Sequence, residues 1–297
     1  MTRRSAGPVS PRPPSALRPG ARPGGGVRRT PTVRRRSAGL TPVRAGALLA
    51  LLVALVGMYG ATRSDAFTLH HTSITGLSWT SEDAVRSALA IPDGQNAFTL
   101  GTGDLVRRLE TIPAIRGASI SVVLPDEIRV AVAERVPLLA WMVGDHRYLV
   151  DEDGFLFATV DDADASQAAD LPVVEDDRSE AATLGLGATL DPVTLDAALR
   201  LGSLRPADLG TAATRLDIRL DDQDGFVLTA DPVGWSATFG FYTPTLRTTD
   251  LIPGQVRLLR SLIAGREDTV QRIVLADDRS GTYVPRPSPS PSGKAKP

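Results

Sequence analysis

Residues 120–132 read Ile-Ser-Val-Val-Leu-Pro-Asp-Glu-Ile-Arg-Val-Ala-Val, and this stretch decides the fold. Ile120, Val122 and Leu124 alternate with other residues up to Pro125-Asp126, and Ile128, Val130 and Val132 resume the alternation beyond them. An apolar period of two is the mark of a half-buried strand. Pro followed by Asp is turn chemistry, because Pro presets φ and Asp can bond its own backbone. The segment therefore predicts an antiparallel hairpin with one face on a core.

Upstream, Phe67–Leu77 predicts a first strand. Thr80-Ser81-Glu82-Asp83 offers hydroxyl caps followed by acids that suit a helix N-terminus. Ala84, Val85 and Leu89 give that helix an apolar face, and Ile91-Pro92-Asp93-Gly94 ends it. A second helix is expected over Thr102–Thr111, with Leu105, Val106 and Leu109 on one side and Pro113 closing it. The order strand–helix–helix–strand–strand over 67–137 makes a small sheet with both helices on one face. Such a unit suits binding and contains nothing that creates a deep pocket.

Downstream, strands are expected at Tyr148–Val150, Phe155–Phe157, Leu216–Leu220, Phe226–Thr229, Thr238–Phe241 and Val270–Leu275. Asp153-Gly154 and Asp224-Gly225 stand where tight turns need a positive φ. Asp191-Pro192 opens a helix to about Leu201, and Gln255–Ala264 is amphipathic with Gly265 just beyond its end. Residues 138–284 thus read as a mixed, strand-rich domain, and the fold class is α+β. Glu134-Arg135, between the two units, reads as a surface ion pair closing one against the other.

Ahead of the folded part, residues 45–62 carry no charge, and at about 1.5 Å per residue this stretch predicts a helix long enough to cross a bilayer. Residues 1–44 hold eleven Arg and no Asp, Glu or Lys, whereas the remaining 22 basic and 34 acidic residues leave the rest of the chain at −12. By the positive-inside rule the tail is cytoplasmic and everything after about residue 63 lies outside. A cleaved signal peptide ending near Ser64-Asp65-Ala66 is the competing reading, with an apolar run longer and a leader more extended than that signal needs. Rich in Pro, Gly, Ser and Arg, residues 1–44 are expected to be disordered, and residues 285–297 to form an extended Pro/Ser-rich tail.

Catalytic patterns are sparse. The chain has no Cys, which removes disulfides, thiol nucleophiles and Cys-based zinc sites. Adjacent His70 and His71 point to opposite faces of a strand and cannot jointly chelate, and His146 beside Asp145 reads as an exposed turn. Asp151-Glu152-Asp153-Gly154 starts like a calcium loop, but Phe155-Leu156-Phe157 follows in place of oxygen ligands. Asp161-Asp162-Ala163-Asp164 and Asp221-Asp222-Gln223-Asp224 read as solvated turns. No catalytic residue, cofactor, metal or nucleic-acid partner is expected.

Taken in order, the pieces resemble the FtsQ/DivIB family of bacterial cell-division proteins. The resemblance rests on Ile74-Thr75-Gly76-Leu77, Thr80-Ser81-Glu82, Asp93-Gly94-Gln95-Asn96 with Phe98 and Leu100, and Ile112-Pro113-Ala114-Ile115. It continues in Leu124–Val130, Glu134-Arg135-Val136-Pro137, Tyr148–Phe155 and Leu171-Pro172-Val173. Gln255 departs from it, standing where the family often carries Lys at the start of a late helix.

The resemblance implies a cytoplasmic tail, one membrane helix, a POTRA domain and a following β domain, located at the division septum of the cytoplasmic membrane. It further implies a non-catalytic scaffold that contacts FtsB/DivIC and FtsL-type proteins, one of which adds a strand to an exposed edge near the C-terminal end. Carried onto this chain, that edge is Arg272, Ile273, Val274, Leu275 and Ala276, with Tyr283 nearby. The competing functional readings are a POTRA-type transport or assembly component and a membrane-tethered cell-wall hydrolase.

Overall fold

A computed structural model describes residues 41–160 and 166–287. The expectations for most of the Arg-rich tail, for Asp161–Asp164 and for residues 288–297 lie outside the described residues. The chain divides between Gly57 and Met58 into two compact units.

The first unit is described by helix α1 (Pro42–Thr62), which runs on to the start of the second. At about 1.5 Å per residue its 21 residues span ~31 Å, the thickness of a bilayer's hydrocarbon core. Its mean hydropathy is 2.0 and none of it is buried, so the apolar surface faces outward all round. It begins three residues earlier than the uncharged run (Pro42 against Ala45). Pro in the first turn costs no hydrogen bond, since that N–H has no intrahelical partner.

In the second unit, three strands form a sheet in the order β1 (His71–Thr75), β3 (Glu127–Glu134), β2 (Ile115–Val123). β2 and β3 are the antiparallel hairpin, and β1 lies parallel to β3. Helix α2 (Glu82–Leu89) starts where the Ser81 hydroxyl accepts the Ala84 N–H at 3.2 Å, and α3 (Thr102–Leu109) follows. β3 alternates strictly. Ile128, Val130 and Val132 are buried against Val85, Leu89, Leu105 and Leu109, while Arg129, Ala131 and Ala133 face solvent. Removing each such aliphatic side chain from water contributes about 1.5–3 kcal/mol.

The larger sheet has nine strands, in the order β12-β11-β10-β9-β8-β7-β4-β5-β6. They are β4 (Leu139–Val143), β5 (His146–Val150), β6 (Leu156–Thr159), β7 (Val173–Asp176), β8 (Arg215–Asp221), β9 (Gly225–Asp231), β10 (Ser236–Gly240), β11 (Val270–Leu275) and β12 (Gly281–Pro285). Three neighbouring pairs are parallel (β4–β7, β7–β8 and β10–β11) and the others antiparallel. Helices α4 (Pro192–Gly202) and α6 (Ile252–Ile263) join the sheet's core, and the short α5 (Pro206–Leu209) adds Leu209. Leu195, Leu201, Leu259 and Ile263 bury with Trp141, Trp235 and Phe239. The Asp191 carboxylate caps α4 by accepting the N–H groups of Val193 and Thr194 at 3.0 and 2.9 Å.

Glu134 and Arg135 do not pair with each other. Successive residues leaving a strand project to opposite sides, and these two engage different regions. The Glu134 carboxylate accepts three backbone N–H groups ahead of α2, from Ser78, Trp79 and Thr80 at 2.6, 2.8 and 2.9 Å. Arg135 donates to the Pro113 carbonyl at 3.2 Å, lies over the Phe155 ring, and forms an ion pair with Asp151, whose side chain is 3% exposed. Ala114, just ahead of β2, and Leu149, Phe157 and Ala158 of the larger sheet bury together beside them, with Trp79 against the cluster. What reads as a surface pair is therefore two separate contacts, Glu134 within the three-stranded region and Arg135 across to Asp151, of which the buried ion pair is the costlier to break.

Candidate partner-binding edge

The expected partner edge, Arg272–Ala276, is not the edge of the sheet. β12 pairs antiparallel along β11, with Ile273 opposite Tyr283 and Leu275 opposite Gly281, so β11 is interior. Its apolar side chains serve the core: Ile273 is fully buried and Leu275 nearly so, while Val274 faces out. Arg272 forms an ion pair with Asp224 and donates to the Thr238 hydroxyl across the sheet. Ala276 already belongs to the turn, donating its N–H to the Ser280 carbonyl at 2.9 Å.

Among the described residues the free edge is β12. All five of its residues are exposed, and Tyr283 and Val284 each leave 45% of their surface to solvent. Three local features hold this short strand in place. The Asp277 carboxylate accepts the N–H groups of Arg279 and Ser280 at 2.7 and 2.6 Å, which holds its carboxyl below the usual carboxylate range. Asp278 presses so close to α6 that a Cβ on Gly254 would stand 2.4 Å from the Asp278 Cβ, so glycine is needed there. Arg247 then ties the strand ends together, donating to the carbonyls of Phe239, Leu275 and Ala276.

Beside Arg247, the Tyr242 hydroxyl donates to Gln255 at 2.7 Å, and Gln255 donates to the Phe239 carbonyl at 3.3 Å. Burial pushes the Tyr242 phenol up, so it stays a neutral donor. Gln255 is thus a wholly buried bridge in the first turn of α6. The connecting loop exposes Phe241 and, at 93%, Leu246. An exposed strand edge can take another chain's backbone, and its exposed side chains can take apolar residues of that chain.

The other candidate residues serve local structure. His71 Nδ1 lies 2.9 Å from an Asp126 oxygen at the start of the hairpin. Asp151 accepts the N–H groups of Asp153 and Phe155, each at 3.0 Å, besides pairing with Arg135, so its oxygens are committed to the turn. Among the described residues no three His, Asp or Glu side chains gather as metal ligands.

Sequence reasoning missed β12 itself. Its signal was present: turn-forming Asp277-Asp278-Arg279-Ser280-Gly281, then β-prone Thr282, Tyr283 and Val284. The expected tail begins at Pro285, the last residue of β12, so the domain boundary stood but the strand just inside it was not read.

Residues 67–135 match the family model described as POTRA domain, FtsQ-type. The chain is similar to the cell division protein FtsQ of Mycobacteroides abscessus, 30% identical over 46% of this chain and 45% of that protein. It is also similar to those of Chloroflexus aggregans (26% identical, 54% of this chain and 56% of that protein) and Chloroflexus aurantiacus (22%, 80% and 76%). The chain spans about half the length of the first two of these relatives. The order of secondary structure, the matched POTRA segment and the relatives agree in likening this chain to FtsQ-type cell-division proteins.

Proposed function

We propose that this protein is a non-catalytic scaffold of bacterial cell division. It joins septal division proteins through contacts outside the cytoplasmic membrane and so regulates septal wall synthesis. Residues 1–44 form the cytoplasmic tail, α1 the single membrane pass, 67–137 the POTRA domain and 138–284 the β domain. The asymmetry of Arg around α1 supports this orientation. The partners on this reading are an FtsB/DivIC-type protein and an FtsL-type protein.

The observation that carries the proposal is the uncovered β12 at the end of a nine-stranded sheet. A partner strand laid against it would take up its free backbone groups and make a tenth strand. Tyr283 stands opposite the buried Ile273 and shares its face, so a partner side chain there would meet an aromatic ring rather than a charge.

Capture of co-expressed FtsB/DivIC-type and FtsL-type proteins tests this. Tyr283→Glu exchanges a half-exposed ring for a carboxylate and costs about 1–2 kcal/mol, which leaves the protein folded, but abolishes capture. Proline at Thr282 and, separately, at Tyr283 samples both sides of the strand, because successive N–H groups point opposite ways. One of the two removes an outward donor and should release the partner while the protein still folds. Undiminished capture by all three folded variants would refute the edge as the docking site.

A further inference from the structure

We infer that the loop Gln95–Thr99 seats the POTRA domain on the outer surface of the bilayer, with Phe98 and Phe67 in the headgroup layer. The inference rests on the reading of α1 as a membrane span. Phe98 is about half exposed, and its ring meets Phe67 edge-on with centroids 5.0 Å apart. The pair's location is set by a hydrogen bond to the end of α1. Asn96 Nδ2 donates to the carbonyl of Thr62, the last residue of that helix, at 2.9 Å. Ala97 donates to Phe67 and Leu69 to Gln95, at 2.8 and 2.9 Å, and Phe98 N–H closes on the Asn96 side chain at 2.9 Å.

Distances along the chain fix the depth. A helix of ~31 Å matches the hydrocarbon core, which puts Thr62 at its border. The headgroup layer adds roughly 5–8 Å on each side. Phe98 is two residues from Asn96, whose side chain is bonded to Thr62, and two residues add at most about 7 Å to that contact. This short tether lets its ring reach the layer where aromatic side chains partition. Tyr59 in the last helical turn, with the Arg63 guanidinium 5.2 Å from its ring centre, marks the same level. Arg63 and Asp65 leave this stretch without net charge, so the attraction is aromatic and independent of anionic lipid.

The chain has no Cys, so single-cysteine variants of the full-length protein can carry a nitroxide in phosphatidylcholine vesicles. Collisions with oxygen and with a water-soluble nickel chelate report depth. Leu52→Cys reports on the span and exposed Ser121→Cys on water. Phe98→Cys and Thr99→Cys probe the loop, the second keeping both phenylalanines. Positions 98 and 99 should lose nickel collisions relative to 121 while 52 favours oxygen. Position 99 shielded with 98 accessible would show that Phe98 is needed for docking. Both matching 121 while 52 stays in lipid would overturn the docking and leave the span intact. Nickel access at 52 would overturn the span and the docking with it. Shielding that requires added phosphatidylglycerol would overturn the aromatic basis.

Discussion

The two ends of the nine-stranded sheet are treated differently. At one end, β6 is covered by the chain itself: Leu156 donates to the Ala188 carbonyl at 2.9 Å and accepts from Gly187 at 2.8 Å, and Phe155 bridges to Thr189. Three of its four residues are buried. At the other end β12 is exposed throughout. An open edge invites pairing with any extended chain, and natural proteins ordinarily blunt it. Here one edge meets residues 187–189 at Phe155 and Leu156, while the other, among the described residues, keeps its outer backbone groups free and exposes Tyr283. The difference teaches that the two edges of one sheet need not be alike: β12 is the one left open to the pairing proposed above.

The comparison breaks most severely under the open edge. Ile273→Ala removes a fully buried side chain on the strand that supports β12 and should cost about 2–5 kcal/mol in chemical denaturation. Partner capture would then fail because the sheet is weakened, in contrast to the folded Tyr283→Glu protein. At the closed edge the expected effect is smaller. Gly187 has φ +89° with open space around it, so Gly187→Ala meets only backbone strain, about 1–2 kcal/mol. Faster amide exchange at Leu156, with β12 unchanged, would show that the cover opens by itself; unchanged exchange would show that it is held by more than this turn.

The smallest effect concerns the turn that presents β12. Asp277 is held below its ordinary pKa by the backbone N–H groups of Arg279 and then Ser280. Its contribution is present above the unfolded value of about 3.9 and is lost as pH falls through the lower folded value. Asp277→Asn should therefore be slightly less stable than the parent at neutral pH. The two denaturation midpoints should converge as the medium is acidified toward and below that range. A constant gap across the titration would show that the turn does not depend on the ionised carboxylate.

Much of this was legible along the chain, for reasons that differ by region. The hairpin around Pro125-Asp126 is local, and strict alternation marks it because one face of β3 meets the two helices and the other meets water. β4 and β7 escaped notice because their surroundings blur the alternation. Leu139-Ala140-Trp141 is buried on both faces. In β7, Val173 is exposed and Asp176 buried, because Asp176 accepts from the Trp141 ring N–H at 3.1 Å and pairs with Arg178. Adjacent charges such as Glu134-Arg135 look like a pair in one dimension. Strand geometry sends them apart, to the N-terminus of α2 and to Asp151.

By itself the sequence determined what depends on composition and short spacing: the apolar helix, its one-sided Arg flank and the strand–helix–helix–hairpin order. Those signals are local, since they record how each segment meets water or lipid. Only the tertiary structure decided which strand ends the sheet, how residues 187–189 meet the opposite edge, and that Asn96 reaches the last residue of α1. Each of these is a contact between segments distant in sequence. Such contacts are chosen by which partner best satisfies backbone hydrogen bonds and buries side chains, and no periodicity within a segment encodes that choice.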